Sequence, residues 1–185
     1  MSRTDVGTLW TIGHSVRPWQ EFVGMLIAAR IQSLADVRRF AGSRRNPQFS
    51  GEAMGAALAK EGIDYFPMPD LGGRRPARTD SPNLAWRNAA FRGYADYMAT
   101  PPYRAAHERL AELAQSRRTA VMCAEAMWWQ CHRSLISDDF KASGWEVIHL
   151  LSPGREQEHP YTSAARIVDG RLDYTLPADP QASLF

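Results

Sequence analysis

The segment Met122-Cys-Ala-Glu-Ala-Met-Trp-Trp-Gln-Cys-His-Arg133 crowds two thiols, a carboxylate, an imidazole and a guanidinium into one short stretch. The apolar run Thr119-Ala-Val-Met-Cys123 precedes it and a helical pattern over residues 130–142 follows, so the stretch is a strand-turn-helix. Helix N-termini carry unpaired N–H groups and partial positive charge, which disfavours cations there. His132 and Arg133 in the first turn therefore call for a negative partner, either Glu125 and Asp36 within the chain or a bound phosphate. A carboxylate beside a histidine also suits the positioning of a water or the tuning of a general base, although a purely structural ion network would use the same residue types. Cys123 at the strand end is a candidate nucleophile if nearby cations lower its pKa, and otherwise a small buried residue; Cys131 raises the same question. Cys123, Cys131, His132 and His14 show no C-x2-C or H-x3-H spacing, so no metal or other cofactor is expected. Adjacent tryptophans in a turn cannot easily share one core. Trp128 or Trp129 is thus a candidate platform for stacking a base, the alternative being that both cap the core.

The rest of the chain must hold these groups in place. Residues 8–12 read as a first strand, Gly13-His-Ser15 as its turn, and residues 19–30 as a helix. A second strand over 31–37 ends in Asp36-Val-Arg-Arg39 and leads into a Gly, Arg, Asn and Pro-rich loop. A helix over 51–61, with Ser50 as its cap, and a short strand over 63–67 follow. Residues 68–83 have no apolar period and predict a surface excursion. Helices over 89–98 and 102–115, a fifth strand over 145–151 and a hairpin turning at Asp169-Gly170 complete the order. Alternating strands and helices predict an α/β fold: a mainly parallel, Rossmann-like sheet of about five strands with helices on both faces, plus a small C-terminal hairpin. The expected organisation is one domain over 1–172 and an extended tail over 173–185. Parallel sheets bind ligands beyond the carboxyl ends of their strands. That rule gathers His14 and Ser15 with Asp36, Arg38 and Arg39, and with Cys123 and Glu125. Gly72-Gly73 before Arg74-Arg75 would let backbone approach a phosphate, or simply make a turn.

At 185 residues with 44% hydrophobic and 23% charged residues, the chain has the composition of an ordinary globular domain. No apolar run approaches the ~20 residues that span a bilayer, and the N-terminus lacks the pattern of a signal peptide, so a cytoplasmic location is expected, nucleoid-associated if the partner is DNA. In a reducing compartment the two cysteines should be thiols. The formal charge of +2 hides an arginine-rich first half, including Arg38, Arg39, Arg44, Arg45, Arg74 and Arg75. Its planar fork suits arginine to phosphate, though codon bias produces arginine too.

Thr11-Ile-Gly-His-Ser15, Asp36-Val-Arg38 with Ser43-Arg44 and Asn46-Pro-Gln-Phe49, Leu71-Gly-Gly73, the Phe91, Tyr94, Tyr97-Met98 pattern, and Cys123-Ala-Glu125 to Cys131-His-Arg133 together resemble the domain-of-unknown-function family 488. The resemblance runs from about Thr11 to Leu151. It implies a fold and a site at His14, Ser15, Asp36, Arg38, Arg44, Glu125, His132 and Arg133, and no settled reaction. The order Asp-Val-Arg-Arg-Phe-Ala departs from the proline-containing form of the family's second motif.

Gln181-Ala-Ser-Leu-Phe185 follows the proline-punctuated 176–180 stretch and resembles the short peptide with which bacterial replication and repair proteins bind the DNA sliding clamp. Leu184 and Phe185 would fill an apolar pocket and Gln181 would make a polar contact, unless the tail folds back on its own domain. The basic half, the anion site and this tail point to an enzyme of DNA repair that hydrolyses a damaged or modified nucleotide, at the N-glycosidic bond or at a phosphodiester. Glu125 or Asp36 would activate water, His132 or His14 would move a proton, and Arg38, Arg44 and Arg133 would hold phosphate. A non-catalytic module recruited to the clamp, or a cysteine-dependent small-molecule enzyme, would fit the same motifs.

Overall fold

The computed structural model describes residues 7–177. Its centre is a six-stranded sheet built from β1 (Thr8–Gly13), β2 (Ser33–Asp36), β3 (Asp64–Pro67), β4 (Thr119–Cys123), β5 (Glu146–Ser152) and β6 (Arg155–Glu158). The spatial order is β3-β2-β4-β1-β5-β6, with the first five strands parallel and β6 antiparallel to β5 at the edge. A separate two-stranded ribbon pairs β7 (Arg166–Val168) with β8 (Arg171–Asp173). The α/β architecture, the mainly parallel sheet and the terminal hairpin agree with the sequence pattern. β6 is the addition. Its residues are Arg-Glu-Gln-Glu, with no apolar alternation; backbone pairing with β5, helped by Gln157 accepting from Trp128 and Glu158 pairing with Lys141, holds it at the edge.

Right-handed crossovers dictate which face each helix covers. The chain moves one way along the sheet from β1 to β2 to β3, placing α1 (Trp19–Ala28) and α2 (Gly51–Lys60) on one face. It then returns through β4 to β5, placing α3 (Ala89–Met98), α4 (Pro101–Ser116) and α5 (Arg133–Ala142) on the other. Side chains along β4 alternate between the two cores. Ala120 and Met122 join Phe22, Leu26 and Leu58, while Val121 and Cys123 join Leu110, Leu135 and Phe140. No described helix is long and apolar enough to cross a membrane.

Two local features shape the carboxyl edge. Helix α3 starts at Ala89 because the Asn88 side chain accepts the N–H groups of Ala90 and Phe91, satisfying donors that a first turn leaves open. The excursion before it is tied down by Asp96, which accepts from Ser81 Oγ at 2.5 Å, Asn83 Nδ2 at 2.8 Å and the Arg78 N–H at 2.8 Å. Helix α5 starts later than its pattern suggests, at Arg133. Trp128–Gln130 is a 3-10 turn and Cys131 is extended, at φ −143° and ψ 170°.

The turn after β1 docks directly on the turn after β4. His14 N–H donates to Cys123 O at 3.0 Å and Ser15 N–H to Ala124 O at 2.9 Å. A β-carbon at Gly13 would overlap the Glu125 carbonyl, so only glycine allows this approach. Gly13→Ala should therefore cost about 1 to 3 kcal/mol by overpacking. Chemical denaturation would check it, and unchanged stability would mean that the two turns separate without penalty.

Candidate active site at the carboxyl edge

Strands β2 and β4 are neighbours whose chains leave towards opposite faces, and the sheet opens between them into a cavity of about 380 Å³. That is within the range of small-molecule sites and at the place where parallel sheets bind ligands. Cys123, Cys131 and His132 line it from the β4–α5 turn, Arg39 and Phe40 from the end of β2, and Gly73 and Arg74 from the loop after β3. Phe91 and Tyr94 of α3 close the far side. The Leu71-Gly-Gly73 motif lets these walls meet: a β-carbon at Gly72 would sit 2.6 Å from the Arg39 nitrogen, and one at Gly73 2.7 Å from His132 Nδ1. The paired glycines thus serve close packing at the cavity wall.

Glu125 is the carboxylate of this cavity. It is exposed, no other acidic residue lines the space, and its side chain makes no hydrogen bond or ion pair among the described residues. His132 is held by one nitrogen. Its Nε2 lies 2.9 Å from Val37 O, which assigns the proton to Nε2 and leaves Nδ1 an acceptor beside Gly73. Burial, outweighing the bond to Val37 and reinforced by Arg133 and Arg75, lowers its pKa to about 4. His132 is therefore neutral at pH 7 and offers a lone pair.

Asp36, Arg38 and His14 form a buried network at the cavity wall, of which Arg38 itself lines the space. Asp36 Oδ1 accepts from Arg38 Nε at 2.8 Å and from the Arg38 N–H at 3.1 Å; Oδ2 accepts from Arg38 Nη2 at 2.6 Å and Tyr65 OH at 2.5 Å. Arg38 Nη1 donates to Phe49 O at 2.7 Å and contacts His14 Nε2 at 3.2 Å, while His14 Nδ1 faces Ser15 O at 2.9 Å. The His14 ring stacks on Phe49. Burial, opposed by the Ser15 bond and aided by Arg38, lowers the His14 pKa. The hydrogen-bonding atoms of all three are occupied within the protein, by one another and by Tyr65 OH, Phe49 O and Ser15 O. Their geometry is that of a brace which fixes the end of β2.

Arg133 is likewise a brace. It is 1% exposed, and Nη2 donates to Glu125 O at 3.2 Å and Ala126 O at 3.0 Å. Its Nε has no partner, and no carboxylate pairs with it among the described residues. A cation so placed holds the Glu125 turn from below and raises the local potential; it does not reach a phosphate at the mouth. Cys123 feels that potential. Burial would raise its thiol, but the bond with Cys131, the Arg133 charge and the backbone at Glu125 together bring it down to about 7.

The tryptophans divide as their adjacency requires. Trp128 is buried and stacked on His149, with ring centroids 4.6 Å apart, while Trp129 is 49% exposed. Beneath Trp128 runs a chain with no sequence signal: Asp138 Oδ1 to His159 Nε2 at 2.8 Å, His159 Nδ1 to His149 Nε2 at 2.9 Å, and His149 Nδ1 to Thr11 Oγ1 at 2.6 Å. Asp138 also accepts from Thr162 and from Tyr174 OH, so the packed region runs at least to Tyr174, past the expected boundary at 172. Ser15 sits at a left-handed φ of 45° beside the docked turns, and Arg44 is exposed on the loop after β2; neither lines the cavity. Gln181, Leu184 and Phe185 lie outside the described residues. Phe40, Gln130 and Phe91 were not expected as wall residues. The position of Phe40, directly after a strand ending in two arginines, was the available signal.

A family model described as a domain of unknown function, DUF488, matches residues 18–139. It takes in Asp36 to Arg133 and starts after the Gly13-His-Ser15 turn. No curated protein and no solved structure matches the chain.

Proposed function

The chain belongs to the DUF488 family, whose description names no reaction, and from its own cavity we propose a hydrolase that cleaves the N-glycosidic bond of a damaged or modified nucleotide in DNA. One observation carries this reading: among the described residues Glu125 is the single acidic one lining the cavity and has no partner, in a space walled by Phe40 and Phe91 and rimmed by Arg39 and Arg74. The aromatic walls suit a base, and the exposed arginines suit phosphate. Arg39, Arg44, Arg45 and Arg74 form no ion pair among the described residues, which leaves their charge for a polyanion.

Glu125 takes a proton from water, the hydroxyl bonds to the sugar anomeric carbon, and the carbon–nitrogen bond breaks with its electron pair leaving on the base, which is protonated from solvent. His132 cannot be that acid, since its free nitrogen carries no proton; it accepts a hydrogen bond from the base or the water. The same site would accept a phosphodiester by the same water activation. Terminal Gln181, Leu184 and Phe185 would bring the enzyme to a sliding clamp, tested by a pull-down comparing the full chain with one ending at Pro180.

Duplexes bearing a panel of base lesions test the reaction. Glu125→Gln should lower turnover by about 10²- to 10⁴-fold, as removal of a general base does, while binding stays salt-sensitive and close to that of the unaltered chain. No product from any duplex, together with no salt-sensitive binding, would sink it. A second reading, a cysteine-dependent reaction on a small electrophile, is favoured by the lowered Cys123 thiol. Cys123→Ser abolishes turnover in that reading and spares it in the first.

A further inference from the structure

The hydrolytic reading leaves two features at the cavity floor unused. Cys123 ends the central strand and Cys131 stands just before α5, and the turn between them brings their Sγ atoms to 2.9 Å. Both are free thiols, otherwise buried, and both line the cavity. Beside them lies Arg133, a fully buried cation that, among the described residues, has an unpartnered Nε and no carboxylate to balance it. A buried charge without a counter-charge is costly. The Arg133 charge acts on the Cys123 sulfur, which as a thiolate would supply negative charge from inside the protein.

The two sulfurs are not equivalent. The hydrogen bond with Cys131 and the Arg133 charge favour ionisation of Cys123, while burial and the neighbouring Cys123 push the Cys131 thiol up. A lowered thiol touching a second, protonated thiol is the division of labour between an attacking and a resolving cysteine.

We propose that Cys123 and Cys131 form a reversible dithiol–disulfide couple that reduces a small hydroperoxide entering the cavity. The Cys123 thiolate attacks the peroxide; an S–O bond forms, the O–O bond breaks, and the leaving alkoxide takes a proton to become an alcohol. Cys131 surrenders its proton and attacks the Cys123 sulfenic sulfur; the S–S bond forms and the S–O bond breaks, releasing water. The dithiol loses two electrons and the peroxide gains them. A cellular dithiol would restore the pair by exchange. Oxidation removes the thiolate that balances Arg133 directly below the Glu125 turn, so the redox state bears on the same cavity.

The experiment uses the full chain, reduced and free of oxygen, with one equivalent of hydrogen peroxide. Free thiols should fall from two to none, the intact mass should drop by two hydrogens, and peptide mapping should place the bridge between Cys123 and Cys131. A dithiol reductant should restore both thiols. The oxidation rate should fall ~20-fold between pH 7.5 and 5.5, as the Cys123 thiolate is protonated. Cys131→Ser should instead accumulate a Cys123 sulfenic acid, trapped by a cyclic dione. Two thiols still free after peroxide, oxidation of Cys123 to sulfinic acid without a bridge, or disulfides only between chains would each overturn the proposal. The measurement on the unaltered protein stands even if the variant fails to fold.

Discussion

Asp36→Ala is expected to destabilise the fold by about 3 to 5 kcal/mol, the cost of removing one partner from a buried ion pair. Asp36 is 1% exposed and takes four donors, three from Arg38 and one from Tyr65. Without it the Arg38 guanidinium, itself 8% exposed, keeps only Phe49 O, the His14 ring and the Met54 sulfur. Urea denaturation measures the loss, and the destabilising effect is itself diagnostic. A variant as stable as the parent but inactive would return Asp36 to the reacting groups, where its strand-end position first suggested it belonged.

Acid should unfold the protein well before its carboxylates are protonated. Burial comes first among the causes that depress four histidines: His14, His107, His132 to about 4 and His149 to about 2. In the unfolded chain each binds its proton near pH 6.5. The folded pKa values are the lower ones, so their contribution is whole above 6.5 and falls as the pH drops, because the unfolded state then takes up protons that the fold refuses. His132 stops contributing to the loss near pH 4, and His149 continues towards pH 2. For His149, 1% exposed, the slope is about 1.4 kcal/mol per pH unit, or about 2 kcal/mol lost by pH 5. His132 adds a comparable amount, against a total stability of about 5 to 15 kcal/mol. Thermal melts between pH 7.5 and 4.5 should show a steep fall beginning near 6.5. His149→Phe, which removes the titrating ring, should flatten that slope even if it lowers the starting stability.

The elements that announced themselves were those with a period. β4 is Thr119–Cys123 and α3 is Ala89–Met98, as their apolar spacing requires. The strand-end rule also brought Arg38, Arg39, Cys123 and Glu125 to one cavity, because in a parallel sheet that edge is common to every strand. What it could not separate was burial. Asp36 and Glu125 are both acids at a strand's carboxyl end, yet Asp36 lies inside with an arginine two residues away, and Glu125 stands on a turn that faces solvent. Arg133 looked like a phosphate ligand because its sequence position is a helix start. Its side chain instead turns inward to two carbonyls. The Asp138–His159–His149–Thr11 chain had no signature because its members come from α5, β5, β1 and the loop after β6, far apart in sequence, and β6 had none because its pairing uses only backbone.

The position of β1 has a consequence for how this protein is made. Among the described residues β1 is flanked only by β4 and β5, both later in the chain, so it has no partner until residues from Thr119 onward have been synthesised. At ~5 to 20 residues per second that is a wait of several seconds. During it, β2 and β3 can pair and α1 can cover Trp10 and Ile12, but both edges of β1 stay open and Leu9, on the other face, stays uncovered. The nascent chain is thus prone to aggregate through the open edges of β1. A chaperone that binds short apolar segments would find its target there, and it should release it when β4 emerges.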